Sequence, residues 1–404
     1  MRLKRFPDPV LFWSCLAVSV LGLVAIWDAG YARTDGSAFP RELRNQAIYL
    51  VLAIAACWGC TFIPRKSWKW LGWAGVALSF GALVLVKVPG FGVTIGGAAR
   101  WIKLGPITLQ PSEFIKLAAI MFLAAMMAAH TPWEKPRKAF RNLGERIDRS
   151  WAPKVKRAYP FFIVLGLAVM VERQPDLATG AMIVATALAI IVVAGVSLKS
   201  LVTLAVFATL LAGFAVYEQP YRLERFRVHA ERWEANNRLD GGYQTIVSET
   251  ALANGGFSGV GIGNGTAKHR LPAPTTDFVL TTVGEEFGMV GVLVIVGLLA
   301  TVTMRLFYLA SRAPDNFARL ALVGMAVWIG VQTCTNVTMV NGSLPPIGIP
   351  LPFVSYGGSS LLALWMGVGL SMSLAAKKPK TKEVDQPATG SYGWRDRRPR
   401  VSRT

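Results

Sequence analysis

Charge is scarce in this sequence. Only 16% of its 404 residues are Asp, Glu, Lys or Arg, while 53% are hydrophobic; a soluble domain carries about 25% charged residues. Acidic residues are the rarer sign, 23 against 43 Lys and Arg, which leaves a formal net charge of +20. Histidine is limited to His130, His229 and His269, and cysteine to Cys15, Cys57, Cys60 and Cys334. With the histidines scattered and no HExxH pattern, the common zinc-hydrolase signature is excluded. All four cysteines fall in apolar runs. Cys57 and Cys60 make a CxxC without a second pair, which reads as packing. The short alternating segments of a membrane β-barrel are missing as well.

What fills the sequence instead is long apolar runs, with a mean hydropathy of +0.42. About ten can be marked, near 10–28, 45–63, 69–88, 112–129, 158–172, 177–195, 198–217, 284–304, 318–340 and 353–375. Runs of roughly 18–25 such residues span a bilayer as helices. The expected fold class is therefore an all-α polytopic membrane protein with about ten transmembrane helices and one large extracytoplasmic loop. The first run, Val10 to Ile26, lacks a clear small-residue cleavage site and reads as a retained helix. The fifth is short and ends in charge at Glu172 and Arg173, so a discontinuous or tilted helix is expected there.

The location of the basic residues settles what they are for. If the amino terminus lies inside, the inner segments carry about twice the Lys and Arg of the outer ones, the sense of the positive-inside rule. The excess reads as loops facing an anionic cytoplasmic leaflet and not as a nucleic-acid surface. Both termini are expected in the cytoplasm, in a multi-pass protein of the bacterial cytoplasmic (inner) membrane. Segment 130–157 is expected to lie on the inner membrane surface. Segment 218–283, about 66 residues, is expected outside, and a loop of that length is uncommon unless functional. The organisation reads as a transmembrane domain over 1–376 and a disordered basic tail over 377–404. No internal repeat is evident.

Four segments carry candidate chemistry. The outer loop holds Tyr221-Arg222 and Arg225, Gly242-Tyr243-Gln244, a glycine-rich stretch over 254–265, Lys268-His269-Arg270-Leu271-Pro272 and Thr275-Thr276-Asp277-Phe278. Helix eight then opens with Gly284-Glu285-Glu286-Phe287-Gly288. Glycines let backbone N–H groups approach a phosphate, and Lys268 and Arg270 could neutralise a diphosphate. Asp277, beside a membrane helix and partly desolvated, could act as a base; it reads equally well as a helix N-cap. The glycines by themselves read as flexible loop.

The second segment is Arg100-Trp101-Ile102, then Gln110-Pro111-Ser112-Glu113 and Lys116. Glu113 and Lys116 are i and i+3 and share a helix face. A lysine one turn into a membrane helix needs a partner or a polar cavity. Trp101 also fits an interfacial anchor, and Ser112 a helix cap. The third is Gln174-Pro175-Asp176-Leu177 after Glu172 and Arg173, and the fourth runs from Gly348 to Ser360, a proline- and glycine-rich turn into the last helix.

Together these motifs, spread over nearly the whole chain, resemble the SEDS family (shape, elongation, division and sporulation), which includes FtsW, RodA and SpoVE. The resemblance implies ten helices and peptidoglycan glycosyltransfer: polymerisation of lipid II, an undecaprenyl-diphosphate-linked disaccharide pentapeptide, beside a class B penicillin-binding transpeptidase. It implies Asp277 as the catalytic residue and matches the family's outer-loop tryptophan to Trp101. Arg100, Trp101, Glu113, Lys116, Lys268 and Arg270 are the expected substrate contacts. No cofactor is certain; a divalent cation, Mg or Mn, is a candidate for offsetting diphosphate charge. Other expected contacts are membrane lipids, with no nucleic acid. The chain departs from the family pattern at Ala273, where Glu is usual, at Val247, at Trp27-Asp28-Ala29-Gly30, and in a shortened stretch after Lys268. A lipid II flippase and a non-catalytic division scaffold are the alternative readings. Polymer formation by purified protein separates them.

Overall fold

The computed structural model describes residues 8–31, 39–95, 98–105, 107–129, 152–196, 198–234, 237 and 241–376. The surface segment expected over 130–157 lies, up to residue 151, outside the described residues, as does the tail 377–404.

The helices are α1 (Pro9–Tyr31), α2 (Arg41–Phe62), α3 (Arg65–Leu85), α4 (Pro111–Ala128), α5 (Ala152–Glu172), α6 (Leu177–Val193) and α7 (Leu198–Tyr217). They continue with α8 (Pro220–Ala230), α9 (Tyr243–Gly255), α10 (Ala267–Arg270), α11 (Val279–Glu286), α12 (Gly288–Ser311), α13 (Asn316–Val340) and α14 (Gly358–Ala375). Eight of the described helices are long and apolar enough to cross a membrane, and the shorter apolar helices Ala158–Glu172 and Leu177–Val193 fall on the fifth and sixth runs. The chain is a polytopic helical membrane protein.

The spans differ in how they meet their surroundings. In α4, α13 and α14 about three quarters of the apolar window is buried, whereas in α7 only 6% is. The first three form the bundle core, and α7 stands at its edge. Small residues make close packing possible, as is usual between membrane helices. A side chain at Gly369 of α14 would strike the Cys57 carbonyl of α2, and one at Gly72 of α3 would strike the α4 backbone at Met121–Phe122. Cys57 and Cys60 are buried and free, in a packing position.

Four expectations need correction. The run 284–304 is one span with a later start: α11 ends at Glu286 and the span α12 begins at Gly288, whose φ of +65° turns the chain. That glycine lies directly on the Gly259 and Phe257 backbone, with no room for a Cβ. The last run, 353–375, is helical only from Gly358, and Phe353 has φ +64°. Of the two forms expected for the fifth run, discontinuous or tilted, the discontinuous one is overturned: it is one unbroken helix that passes through Pro160. Finally, a three-stranded antiparallel sheet, β1 (Gly92–Ile95), β2 (Ala98–Leu104) and β3 (Ile107–Leu109), sits between α3 and α4. It shares one end of the bundle with the 271–278 segment and the 341–357 loop.

Candidate active site

Asp277 lies in the non-helical segment between α10 and α11. Helix α11 is flanked by Phe278 and has no side-chain cap, so capping is not what Asp277 does. Its carbonyl accepts from Asn336 Nδ2 at 2.9 Å. Among the described residues its half-buried carboxylate has neither a hydrogen bond nor an ion pair. Burial pushes this carboxyl up to about 6; Asp176 adds to the rise and Arg100 opposes it. Desolvation and a like charge both disfavour ionisation, which explains the direction.

Three motif loops therefore meet at one place. Asp176 caps α6, accepting from Thr179 N–H at 3.2 Å. Arg100 reaches from β2 and donates to the Gln174 carbonyl at 2.9 Å and to the Pro175 carbonyl. Gly348 closes the other side: a Cβ built there would stand 3.4 Å from Asp277 Oδ2. Trp101 is half-buried on β2, in register with Val93. Arg100, between the paired Ala99 and Trp101, is the unpaired residue of a bulge in β2, a feature that re-aims side chains along a strand.

The glycine-rich stretch does cradle an anion, but the anion belongs to the protein. Gly263 and Gly265 N–H groups donate to the two oxygens of Glu286 at 2.8 and 2.9 Å, and Ala267 N–H donates to Glu285 at 2.8 Å. Lys268 is buried and bridges Asp28 of α1 at 2.7 Å and Glu286 at 2.6 Å. Burial works against its charge, but the two carboxylates outweigh it and hold the amine above its ordinary value. The expected pairing of Lys268 with a diphosphate would have to displace these two carboxylates. Its charge is already matched by two carboxylates, and it faces the protein interior. Arg270, two residues on, is exposed.

Residues 9–380 match the family model for FtsW, RodA and SpoVE, described as cell cycle protein. The chain belongs to the SEDS family. It is 34% identical over 368 residues to the probable peptidoglycan glycosyltransferase FtsW of Dichelobacter nodosus, covering 88% of this chain and 87% of that protein. It is 32% identical to stage V sporulation protein E of Bacillus subtilis, covering 92% of this chain and 98% of the other. A chain solved in a peptidoglycan synthase complex that coordinates polymerization and crosslinking superposes with TM-score 0.73 at 28% identity, over 91% of this chain and 97% of that one. The rod shape determining protein RodA of Thermus thermophilus superposes with TM-score 0.67 at 25% identity, over 94% and 100%.

Among the described residues, Lys116 and Glu172, two charges within or beside the spans of this SEDS protein, have protein partners. Lys116 Nζ donates to Glu113 Oε1 at 2.9 Å and Gln332 Oε1 at 3.4 Å, and sits 4.9 Å from the Trp328 ring centroid. It points into the bundle and not at acyl chains, and the structure does not bring this pair to the Asp277 carboxylate. Glu172 accepts from the buried Arg222 at 2.6 Å. The charges that suit a polar transport path, Lys116 and Glu172, are thus both neutralised internally.

Between α5, α6 and α7 runs an apolar cavity of about 350 Å³, lined by residues such as Leu165, Val184, Leu188 and Leu211, with Glu172 and Arg173 also on its wall. Leu177, next to Asp176, also lines it. Sequence reasoning missed Asp28, Asn336 and Ser355. Asp28 was visible as an acid inside an apolar run. Ser355 stood inside the Gly348–Ser360 segment without a role of its own, and nothing marked Asn336, since an amide in a span usually bonds within its own helix.

Proposed function

We propose that this chain polymerises lipid II into glycan strands at the outer face of the bacterial cytoplasmic membrane, with Asp277 as the general base. It is a peptidoglycan glycosyltransferase of cell division or cell-shape maintenance. The observation that carries the role of Asp277 is a carboxylate unengaged by any described side chain, raised to about 6, where three motif loops converge. A base poised near the working pH is what proton abstraction from a sugar hydroxyl needs.

In this reading the C4 hydroxyl of one GlcNAc attacks the anomeric carbon of the MurNAc on a second substrate. The new C–O bond forms as the bond to the diphosphate breaks; the diphosphate leaves with the electron pair from the opposite face, and configuration inverts. Asp277 takes the hydroxyl proton. The groove between α5 and α7 suits a prenyl tail, being apolar and adjacent to the turn that carries Asp176. Arg270, exposed beside the segment, is the cation left for diphosphate after Lys268 is accounted for. Arg100 supports the Gln174–Asp176 turn, and Trp101 is the aromatic flank.

Among the described residues no group of three or more His, Cys, Asp or Glu could hold a metal. A divalent cation is therefore assigned no ligands here, and no step runs through one. Sidedness follows the charge asymmetry, with residues 89–111, 218–283 and 341–352 outside and the termini inside. The partner we expect is a class B penicillin-binding transpeptidase.

The test is polymerisation of labelled lipid II by purified protein in detergent. Wild type should make glycan strands and Asp277→Asn should not. Strand synthesis by a folded Asp277→Asn protein would remove Asp277 from the mechanism, and a wild type that makes none, with or without the partner, would favour the flippase or scaffold.

A further inference from the structure

Three consecutive backbone carbonyls leading into Asp277 are each held by a different donor from a single layer of the fold. Thr275 O accepts from Tyr356 N–H at 2.9 Å, Thr276 O from Ser355 Oγ at 2.6 Å, and Asp277 O from Asn336 Nδ2 at 2.9 Å. Asn336 sits on α13 and is completely buried. The same amide nitrogen donates to Ile349 O at 2.7 Å, so one side chain joins the Asp277 segment to the loop that walls it. One turn earlier on α13, Gln332 donates to Pro350 O at 2.8 Å and accepts from Trp328 Nε1 at 2.7 Å and from Lys116.

From this geometry we infer that Asn336 and Ser355 are positioning residues of the transferase reaction, which fix the Asp277 carboxylate against Asp176 and Gly348. The inference rests on Asp277 being the base. Asn336 has both amide protons on the two loops, while its Oδ1 is buried with no partner. Leaving an acceptor unsatisfied in the interior is unfavourable. Turning the amide over would set that oxygen against two carbonyls, so only one orientation works. An apolar isostere would take this donor from both the Asp277 and Ile349 carbonyls, so the side chain's contribution lies in where its donors point and not in its orphaned oxygen. Ser355 adds to the same lock: its Oγ also accepts from Leu351 N–H at 2.7 Å, which ties the wall loop to itself while the hydroxyl proton goes to Thr276. Lys116 and Glu113 join through Gln332. The intramembrane ion pair is thereby linked, through Gln332, to the Pro350 carbonyl of the wall loop.

The test compares wild type, Asn336→Ala, Ser355→Ala and Asp277→Asn in the lipid II polymerisation assay, with thermal melting in detergent and a pH profile for each. A misplacement of about an ångström at a reacting group can lower a rate a hundredfold. We expect Asn336→Ala to lower kcat by about tenfold or more with KM within about twofold, and to move the acid-side midpoint of the pH profile, because the carboxylate's distances to Asp176 and Arg100 change. Ser355→Ala should do the same more weakly, and it carries the test if Asn336→Ala does not fold. Unchanged kcat in both folded variants, with Asp277→Asn inactive, overturns the positioning role alone. Lower yield and melting temperature with an unmoved pH midpoint also overturns it, since that is a structural effect. An active Asp277→Asn overturns both this inference and the catalytic reading.

Discussion

Two charged sites lie nine residues apart at the same end of the bundle and are built in opposite ways. Around Lys268 the charges meet one another: the ammonium bridges Asp28 Oδ1 and Glu286, and the Gly263 and Gly265 N–H groups complete the Glu286 carboxylate, with Asp28 Oδ2 alone left over. Around Asp277 the backbone is held carbonyl by carbonyl while the carboxylate itself is left without a partner. The first arrangement uses polar groups to fix α1 to the outer segment. The second fixes a main chain around a carboxylate that no described side chain bonds. Under the proposed function, stability and reactivity fall to neighbouring residues of similar type, and a buried charge alone does not tell which it serves.

Removing Lys268 should produce the largest effect. Lys268→Ala leaves Asp28 and Glu286 as two buried carboxylates without a cation, and losing one partner of a buried ionic cluster costs about 3–5 kcal/mol. We expect a strongly lowered melting temperature in detergent and poor yield. Adding Asp28→Asn should recover part of the loss by removing one stranded charge. If Lys268→Ala melts like wild type but fails to bind lipid II, the cluster is not structural and the comparison collapses.

Asp277→Asn tests the other half. The expected loss of polymerisation is about a hundredfold or more, the scale for a general base, with no loss of melting temperature at pH 7. A carboxyl whose folded value is raised to about 6 weakens the fold as pH rises from the unfolded value through that point, since the unfolded chain gives up its proton more easily. Asparagine removes that penalty at pH 7. A stable, inactive variant is the signature of a residue kept for chemistry against the interest of stability.

The pH profile sharpens this further. If Asp277 is the base it works as the carboxylate, so kcat/KM should rise with pH through about 6 and fall on the acid side by about tenfold per unit. Because kcat/KM reports the free enzyme, an acid limb with its midpoint near 4 would mean that Arg100 overrides the burial that raises the group. An Asp277→Asn enzyme with the same limb would assign it elsewhere.

Hydropathy located the spans well because each must satisfy its backbone internally and present apolar side chains to lipid or to other helices. The break at Gly288 was hidden, since residues on both sides continue a helical pattern and only the contact with Gly259 forces the turn. The small sheet was hidden for a related reason: its strands are short, and their partners are each other. The motif residues Arg100, Asp176 and Asp277 were all legible one by one, and their convergence was not. The glycine-rich stretch misled because backbone N–H groups aimed at an anion look alike in sequence whether the anion is a diphosphate or Glu286. Asn336 was illegible, its role being defined entirely by carbonyls 59 and 13 residues away.

The smallest expected effect belongs to Arg270, which lies on the same four-residue helix as Lys268. Residues two apart on a helix face different ways, and the structure bears this out: Lys268 is buried between carboxylates while Arg270 is exposed. Arg270→Ala should leave the melting temperature unchanged, because no bond of the fold is removed. If Arg270 faces the diphosphate, KM for lipid II should rise by a few fold, about 1 kcal/mol or less, as for a solvent-screened charge, and the rise should shrink in high salt. Arg270→Lys should restore most of it if charge alone is read, and less if the planar guanidinium grips two phosphate oxygens together. An unchanged KM at low salt would place the diphosphate away from α10 altogether. The site would then extend from Asp277 toward Arg100 and the Asp176 turn.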